Sequence, residues 1–160
     1  MILAFALSTS MSCSGRLTAH SPAFKLTLPT TGSGPRSFAE FHGHAVVALF
    51  LTTWCTPCQL LLRRILQARA AYGTSRVTVV LVITDPNDTL VPLFVQALNL
   101  DVPVFLGSPK HMLQAGKRPV LVVPTTLVLD RAGRIVRLYR RIVTTKMIAQ
   151  DLGRALAAPR

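Results

Sequence analysis

Acidic residues are scarce in this chain. Its 160 residues include 6 aspartates and glutamates against 18 lysines and arginines, which gives a formal net charge of +12. This imbalance favours anionic partners, namely acidic protein surfaces or an anionic membrane surface, and no specific nucleic-acid target is expected. A genome composition that enriches arginine would give the same charge without any partner, because the basic residues are scattered except around Arg134, Arg137, Arg140 and Arg141. Both interpretations stay open.

Long hydrophobic runs are also missing. No apolar run approaches the roughly 20 residues that a membrane-spanning helix needs. Hydrophobic residues nevertheless make up 50% of the 160 residues, and that length corresponds to one domain. The chain can therefore bury a substantial core, and we expect one folded domain over residues 23–160.

The sequence contains only three cysteines, Cys13, Cys55 and Cys58. A structural zinc site normally takes four ligands, commonly from two cysteine pairs, and this chain offers one pair. Attachment of a c-type haem requires histidine directly after the second cysteine, where Gln59 stands. Cysteine usage therefore argues against zinc and haem, and we expect no cofactor beyond the cysteines themselves.

Histidine offers no better metal site. His42 and His44 flank a glycine, Gly43. Two histidines around one glycine more often belong to a solvated turn than to a metal site. We therefore predict a turn here and no metal.

The stretch Trp54-Cys55-Thr56-Pro57-Cys58 separates an apolar run from a run of helix-forming residues. Cysteines separated by two residues at such a strand-to-helix junction have a spacing that a disulfide bridges with little strain. A helix N-terminus favours a thiolate, so we expect Cys55 to have a lowered pKa and act as nucleophile, with Cys58 as the more buried resolving thiol. Pro57 suits the first helical turn, and Trp54 places an amphipathic ring beside the exposed sulfur. Redox exchange is the leading interpretation.

Other interpretations of the cysteine pair stay open. An inert structural disulfide would have the same spacing. Thr52 stands three residues before Cys55, as in peroxiredoxins, but Ala48 occupies the position where those peroxidases usually carry proline. The third alternative is a non-catalytic binding module, in which the basic surface matters more than the cysteines.

The first 22 residues resemble a targeting segment. Ile2–Leu7 is apolar, Ser8–Ser12 is mostly small and polar, and Cys13 follows, which is the order of a bacterial lipoprotein signal. This pattern makes Cys13 a lipidation candidate and predicts a periplasmic or membrane-anchored protein of the cell envelope. A lipid beside a basic domain would supply the two signals that stable anchoring generally requires. The alternative is a disordered tail with an incidental cysteine on a cytoplasmic protein.

Hydrophobic periodicity predicts alternating strands and helices after Ala23. The predicted strands are Phe24–Leu28, Ala45–Leu51, Arg76–Ile83, Val120–Leu129 and Arg134–Tyr139, with a short extended segment at Val102–Leu106. The predicted helices are a capped turn after Ser37, Gln59–Tyr72, Leu90–Leu98, one or two turns within His111–Lys117, and a last helix capped by Thr144 or Thr145. This order implies an α/β fold with a central mixed sheet and helices on both faces.

A proline interrupts the strand pattern of Val120–Leu129. Pro124 follows Val123 and precedes Thr125 and Thr126 in a run that is otherwise strand-like. Proline in such a run must lie at a sheet edge or a bulge, and a cis peptide bond is one way of placing it.

Together the two motifs resemble the thioredoxin superfamily. Trp54–Cys58 after one hydrophobic strand and Val123–Thr126 before another are similar to the TlpA/ResA-like branch of extracytoplasmic thiol-disulfide oxidoreductases. The resemblance covers about residues 24–157 and implies a thioredoxin-like fold. It also implies that Pro124 is cis and packs near Cys55, and that the backbone of Val123 pairs with an extended substrate segment.

The resemblance further implies a reductase. Cys55 would attack a substrate disulfide, and Cys58 would resolve the mixed disulfide. The implied partners are extracytoplasmic protein disulfides, such as those of apocytochrome c, and a separate electron-donor protein. The implied supporting residues around the cysteines are Trp54, Thr56, Pro57, Val123, Pro124 and Thr125.

Two positions depart from the family pattern. Thioredoxins generally carry a buried aspartate six residues before the first cysteine, where this chain has Leu49. ResA-like proteins often carry a glutamate three residues after the second cysteine, where this chain has Leu61. Neither leucine can pass a proton to or from Cys58, so we expect resolution to rely on water or to be slow at neutral pH.

Overall fold

The computed structural model describes residues 22–32, 34–108 and 122–159. In chain order the strands are β1 (Thr27–Leu28), β2 (Arg36–Ser37), β3 (Ala45–Leu51), β4 (Val77–Ile83), β5 (Val104–Leu106), β6 (Thr125–Leu129) and β7 (Ile135–Tyr139). The α-helices are α1 (Thr56–Ala70), α2 (Val91–Ala97) and α3 (Thr145–Ala157), with short 3-10 helices at Phe38–Phe41 and Asp88–Leu90. Within these described ranges, no helix combines the length and apolar composition needed to cross a membrane.

A mixed five-stranded sheet lies at the centre of the fold, in the order β5-β4-β3-β6-β7. The central strand β3 runs parallel to β4 and antiparallel to β6. The outer strand β5 is parallel to β4, and β7 is antiparallel to β6. All seven residues of β3 are buried, as expected of a central strand that is covered on both faces. The predicted α/β fold with a central mixed sheet is confirmed.

Successive residues of β3 point to opposite faces of the sheet and join two hydrophobic clusters. The face with Leu49 packs against α1, α2 and α3. The face with Phe50 packs against the N-terminal segment, including Phe24 and Phe38, and against Phe105 of β5. Helical elements therefore lie on both faces, as predicted, and in the described part of the chain the second face carries the 3-10 helix Phe38–Phe41.

The helix after the cysteines begins where Pro57 predicts its first turn. α1 begins at Thr56, ahead of the helix-forming run from Gln59, because Cys55 caps it and Pro57 is accepted in the first turn. Its predicted buried face is confirmed, with Leu61, Leu62, Ile65 and Ala68 all buried. Cys55 therefore caps the helix and Cys58 lies in its first turn, as predicted.

Two extended segments differ from their predicted form. Val102–Leu106 contains a sheet strand, because β5 pairs in parallel with β4. The edge strand predicted at Phe24–Leu28 is reduced to β1, which pairs with β2 outside the main sheet. The turns predicted within His111–Lys117 lie outside the described residues.

Local capping follows the residue types. Ser37 and Glu40 form the predicted capping box on the 3-10 helix. Thr144 caps α3 by accepting a hydrogen bond from a backbone N–H of the first turn. The predicted turn between β6 and β7 is closed by Gly133, whose N–H donates to the Asp130 carbonyl at 2.9 Å and whose φ is +76°.

Candidate active site

Cys55 and Cys58 form a disulfide at the start of α1. Their Cα atoms are 5.2 Å apart, within the range that a disulfide spans. The bridge closes the first helical turn, so both sulfurs are held at the junction between β3 and α1.

The two cysteines differ in their accessibility. Cys55 is 8% exposed, whereas Cys58 is fully buried, as predicted. Cys55 is also the N-cap of α1, and its Sγ accepts a hydrogen bond from the Cys58 N–H at 3.2 Å. The same N–H and the helix dipole would stabilise a thiolate formed on Cys55 by reduction. The less buried of the two cysteines is therefore also the one that the helix favours as a thiolate.

An exposed rim adjoins Cys55 in the chain. Trp54 is 70% exposed, although large aromatic side chains are usually buried. Thr56 and Pro57 are exposed on the other side of the cysteine in sequence. These three predicted supporting residues leave apolar and polar groups open to a partner beside Cys55.

The segment before β6 meets the same end of β3. The peptide bond between Val123 and Pro124 is cis. Thr125, the first residue of β6, lies opposite Phe50 in the antiparallel β3–β6 pair. The Thr125 hydroxyl donates to the Val122 carbonyl at 2.6 Å and ties the strand to the residues before it. The sheet register thus brings Val123 and Pro124 to the end of β3 from which the cysteine loop, residues 52–55, leaves.

Sequence patterns alone missed Asp85, which contacts the cysteine loop. Asp85 follows β4, and its carboxylate accepts from the Thr53 N–H, with Oδ1 at 3.0 Å and Oδ2 at 3.3 Å. The Thr53 hydroxyl also donates to Asp85 Oδ2. The contact could have been predicted from the strand order. β3 and β4 are parallel neighbours, and the carboxyl ends of such strands meet at one edge of a sheet.

The loop is also bonded to α1 and to the end of β4. Gln59 Nε2 donates to the Thr53 carbonyl at 3.2 Å. Thr84 donates twice to the Leu51 carbonyl, from its N–H at 2.9 Å and from its hydroxyl at 3.2 Å. The backbone that leads from β3 to Cys55 is therefore held from two sides.

Apolar side chains share the cluster that buries Cys58. Leu49 and Leu61 are both fully buried in that cluster. Thr126 lies opposite Leu49 on β6 and is also fully buried, and its hydroxyl has no hydrogen-bond partner within the described residues. The two positions at which the family resemblance implies a carboxylate thus hold hydrocarbon here.

The histidine segment forms the predicted turn. Gly43 has a φ of +98°, a value that favours glycine. His44 Nδ1 lies 2.9 Å from the Thr78 hydroxyl, so the ring is hydrogen-bonded to β4. Across residues 22–32, 34–108 and 122–159, no three histidine, cysteine, aspartate or glutamate side chains group as metal ligands.

Comparison with known proteins agrees with this geometry. Residues 18–156 match the family described as Redoxin. The chain belongs to the Redoxin family. This redoxin is 25% identical over 112 residues to the thiol-disulfide oxidoreductase ResA of Halalkalibacterium halodurans, and 28% identical over 96 residues to the sporulation thiol-disulfide oxidoreductase A of Bacillus subtilis. The alignments span 69% and 58% of this chain and 62% and 57% of those relatives, which is less than two thirds of either relative's length.

Solved structures share the fold of this redoxin. A thiol:disulfide interchange protein of Chlorobium tepidum superposes with a TM-score of 0.72 at 21% identity, covering 84% of this chain and 95% of that one. A DsbF homologue from Corynebacterium diphtheriae gives 0.70 at 28% identity, covering 86% of both chains. The fold is therefore thioredoxin-like, and the chain is a TlpA/ResA-like member of the thioredoxin superfamily.

Proposed function

We propose that this redoxin is a thiol-disulfide oxidoreductase that reduces disulfides of extracytoplasmic proteins through Cys55 and Cys58. The observation that carries the proposal is the Cys55–Cys58 disulfide at the start of α1, with Cys55 8% exposed and Cys58 fully buried. Relatives named thiol-disulfide oxidoreductases support the same reaction class. The electrons pass between sulfurs, so the reaction needs no further cofactor.

The exchange has two steps. In the reduced protein, the Cys55 thiolate attacks one sulfur of a substrate disulfide, forms a bond to it and releases the other as a thiolate. Cys58, once deprotonated, attacks Cys55 Sγ, and the second substrate thiolate leaves. Two electrons thus reach the substrate, and the two protons of the dithiol pass to the substrate sulfurs or to solvent. A separate electron-donor protein would then reduce the bridge.

The exposed rim provides the proposed substrate contacts. Trp54 would pack against apolar substrate groups, with Thr56 and Pro57 beside it. The backbone of Val123 would pair with an extended substrate segment next to Pro124. The support for this arrangement is the exposure of Trp54 and the register that brings the start of β6 to the end of β3.

The second step is expected to be the slower one at neutral pH. Cys58 is fully buried, and its thiol must lose a proton before it can attack. Leu49 and Leu61 supply no base at the two positions where the family resemblance implies a carboxylate. Decay of the mixed disulfide should therefore accelerate as the pH rises. A fast decay that is independent of pH would contradict this part of the proposal.

The cellular setting is proposed from sequence alone. Residues 1–21, including the lipidation candidate Cys13, lie outside the described residues. A lipid at Cys13 and the net charge of +12 would together hold the domain at an anionic membrane surface of the cell envelope. Apocytochrome c is a proposed substrate of that compartment.

Trapping the mixed disulfide tests the function. The reduced full chain is mixed with a disulfide-containing protein such as insulin, and thiol release and covalent adducts are followed by mass spectrometry. Cys58→Ser should accumulate an adduct at Cys55, Cys55→Ser should release no substrate thiols, and the matched control Cys13→Ser should behave as the unchanged chain. Thiol release by Cys55→Ser at the unchanged rate would overturn the proposal.

The same variants separate the alternatives. A peroxidase would form sulfenic acid on Cys55 rapidly and turn over peroxide. A binding module would keep its partner affinity in Cys55→Ser.

A further inference from the structure

Thr53 is the most completely bonded residue of the cysteine loop. It is buried and lies two residues before Cys55. Its N–H and hydroxyl both donate to the Asp85 carboxylate, and its carbonyl accepts from Gln59 Nε2. Each polar group of Thr53 is therefore bonded to a residue outside the loop.

This bonding determines where the loop holds Cys55. The intervening residue, Trp54, is largely exposed and gives the loop little anchorage in the core. The Cys55 N–H donates to the Thr52 carbonyl at 3.2 Å, so the cysteine follows the backbone of the turn that contains Thr53. Displacing Thr53 would displace the residue that caps α1.

We propose that Asp85 is a positioning residue for the Cys55–Cys58 pair. Its carboxylate holds Thr53 and, through it, the cysteine loop. Its negative charge disfavours a thiolate on Cys55 and so biases the pair towards the disulfide. This inference rests on the proposed function only in so far as the pair exchanges with thiols.

The size of the charge effect follows from the contact with Thr53. Two residues of chain span at most about 7 Å, and the hydrogen bond and the cysteine side chain add about 3 Å each, so the carboxylate lies within about 13 Å of the Cys55 sulfur. A unit charge at that separation near a protein surface changes an equilibrium constant roughly twofold to tenfold. Since the thiolate exists only in the reduced protein, removing the carboxylate should favour the reduced form by that factor at a pH at which Cys55 is ionised.

Glutathione equilibria measure the bias directly. Two glutathione thiols give two electrons to the Cys55–Cys58 bridge and join as glutathione disulfide, while their protons pass to the protein sulfurs or to solvent. Asp85→Asn removes the charge but keeps an acceptor for the Thr53 N–H, and Asp85→Ala removes both. The matched control is Asp88→Asn, an exposed carboxylate three residues further along the chain. We expect Asp85→Asn to shift the equilibrium constant twofold to tenfold towards the dithiol, and Asp88→Asn to shift it less.

The positioning role has its own reporter, because Trp54 is the single tryptophan of the chain. Tryptophan fluorescence anisotropy of the oxidised full chain reports how firmly the loop is held. We expect the anisotropy to fall in Asp85→Ala and to be largely restored in Asp85→Asn. Thr53→Val, which removes only the hydroxyl bond, should lower it by a smaller amount and serves in place of Asp85→Ala if that variant does not fold.

Two results would overturn the proposal. An equilibrium constant for Asp85→Asn that equals that of Asp88→Asn refutes the charge effect. Unchanged anisotropy in both Asp85→Ala and Thr53→Val refutes the positioning role. Failure of the proposed function gives a different result. The unchanged chain would then not equilibrate with glutathione. The anisotropy of the oxidised protein would still report whether Asp85 positions the loop.

Discussion

Asp151 of α3 is a buried carboxylate that contacts three side chains, and its removal gives a sharp stability prediction. Its side chain is only 1% exposed. Oδ2 accepts from the Tyr139 hydroxyl at 2.5 Å, and Oδ1 accepts from Arg154 Nη1 at 2.8 Å. Arg137 Nε lies 3.6 Å from Oδ2. We therefore expect Asp151→Asn, which keeps the shape but loses the charge, to weaken the contact between α3 and β7.

The magnitude follows from the burial of the partners. Removing one member of a buried ion pair costs about 3–5 kcal/mol, because the other charge is left uncompensated. Arg154 is 58% exposed and recovers hydration, whereas Arg137 is 19% exposed and recovers less. The lower end of the range applies, so the free energy of unfolding should fall by about 3 kcal/mol, a large share of the roughly 5–15 kcal/mol that stabilises a typical domain.

Urea unfolding of the oxidised protein measures this loss. The midpoint should fall while the dependence on urea concentration stays unchanged. The matched control is Asp101→Asn, because the Asp101 carboxylate is 71% exposed in its pair with Arg69 and such pairs contribute about 0–1 kcal/mol. Equal losses for the two variants would refute the reasoning that burial sets the cost.

Two further predictions concern single hydroxyl groups. Burial and the hydrogen bond to Asp151 raise the pKa of Tyr139 from 10.0 to about 12. The folded state therefore holds the phenol proton more tightly than the unfolded chain, and stability should be constant below about pH 10 and fall between about pH 10 and 12. Ultraviolet phenolate absorbance and unfolding measured over that range check this, and a Tyr139→Phe protein with the same decline would contradict it. Thr126→Val should raise the free energy of unfolding by about 1 kcal/mol, since it removes a buried hydroxyl without a described partner, whereas Thr125→Val should lower it by breaking the bond to Val122. Loss of stability in Thr126→Val would show that its hydroxyl is bonded in solution.

The sequence predicts the parts of the site that are local. The apolar run of β3, the two-residue spacing of Cys55 and Cys58, and Pro57 in the first turn together determine a disulfide at a strand-to-helix junction. The capping box at Ser37 is local for the same reason. Each of these features depends on neighbours within a few positions, so residue type and spacing are sufficient.

The missed features depend on which strands become neighbours. Asp85 and Thr53 are 32 positions apart and meet because β3 and β4 are parallel partners. Asp151 meets Arg137 only after α3 packs beside β7. Polar residues in such places carry no periodic signal, because a single aspartate after a strand or within a helix also fits a solvated position.

The equilibrium reduction potential of the Cys55–Cys58 pair, measured in glutathione buffers, tests the reductase proposal most directly. A thioredoxin-like reductant should give a potential near roughly −270 mV, at which a dedicated donor keeps the pair reduced. A potential near roughly −120 mV, the value of the oxidant DsbA, would contradict the account, because such a pair would insert disulfides rather than remove them.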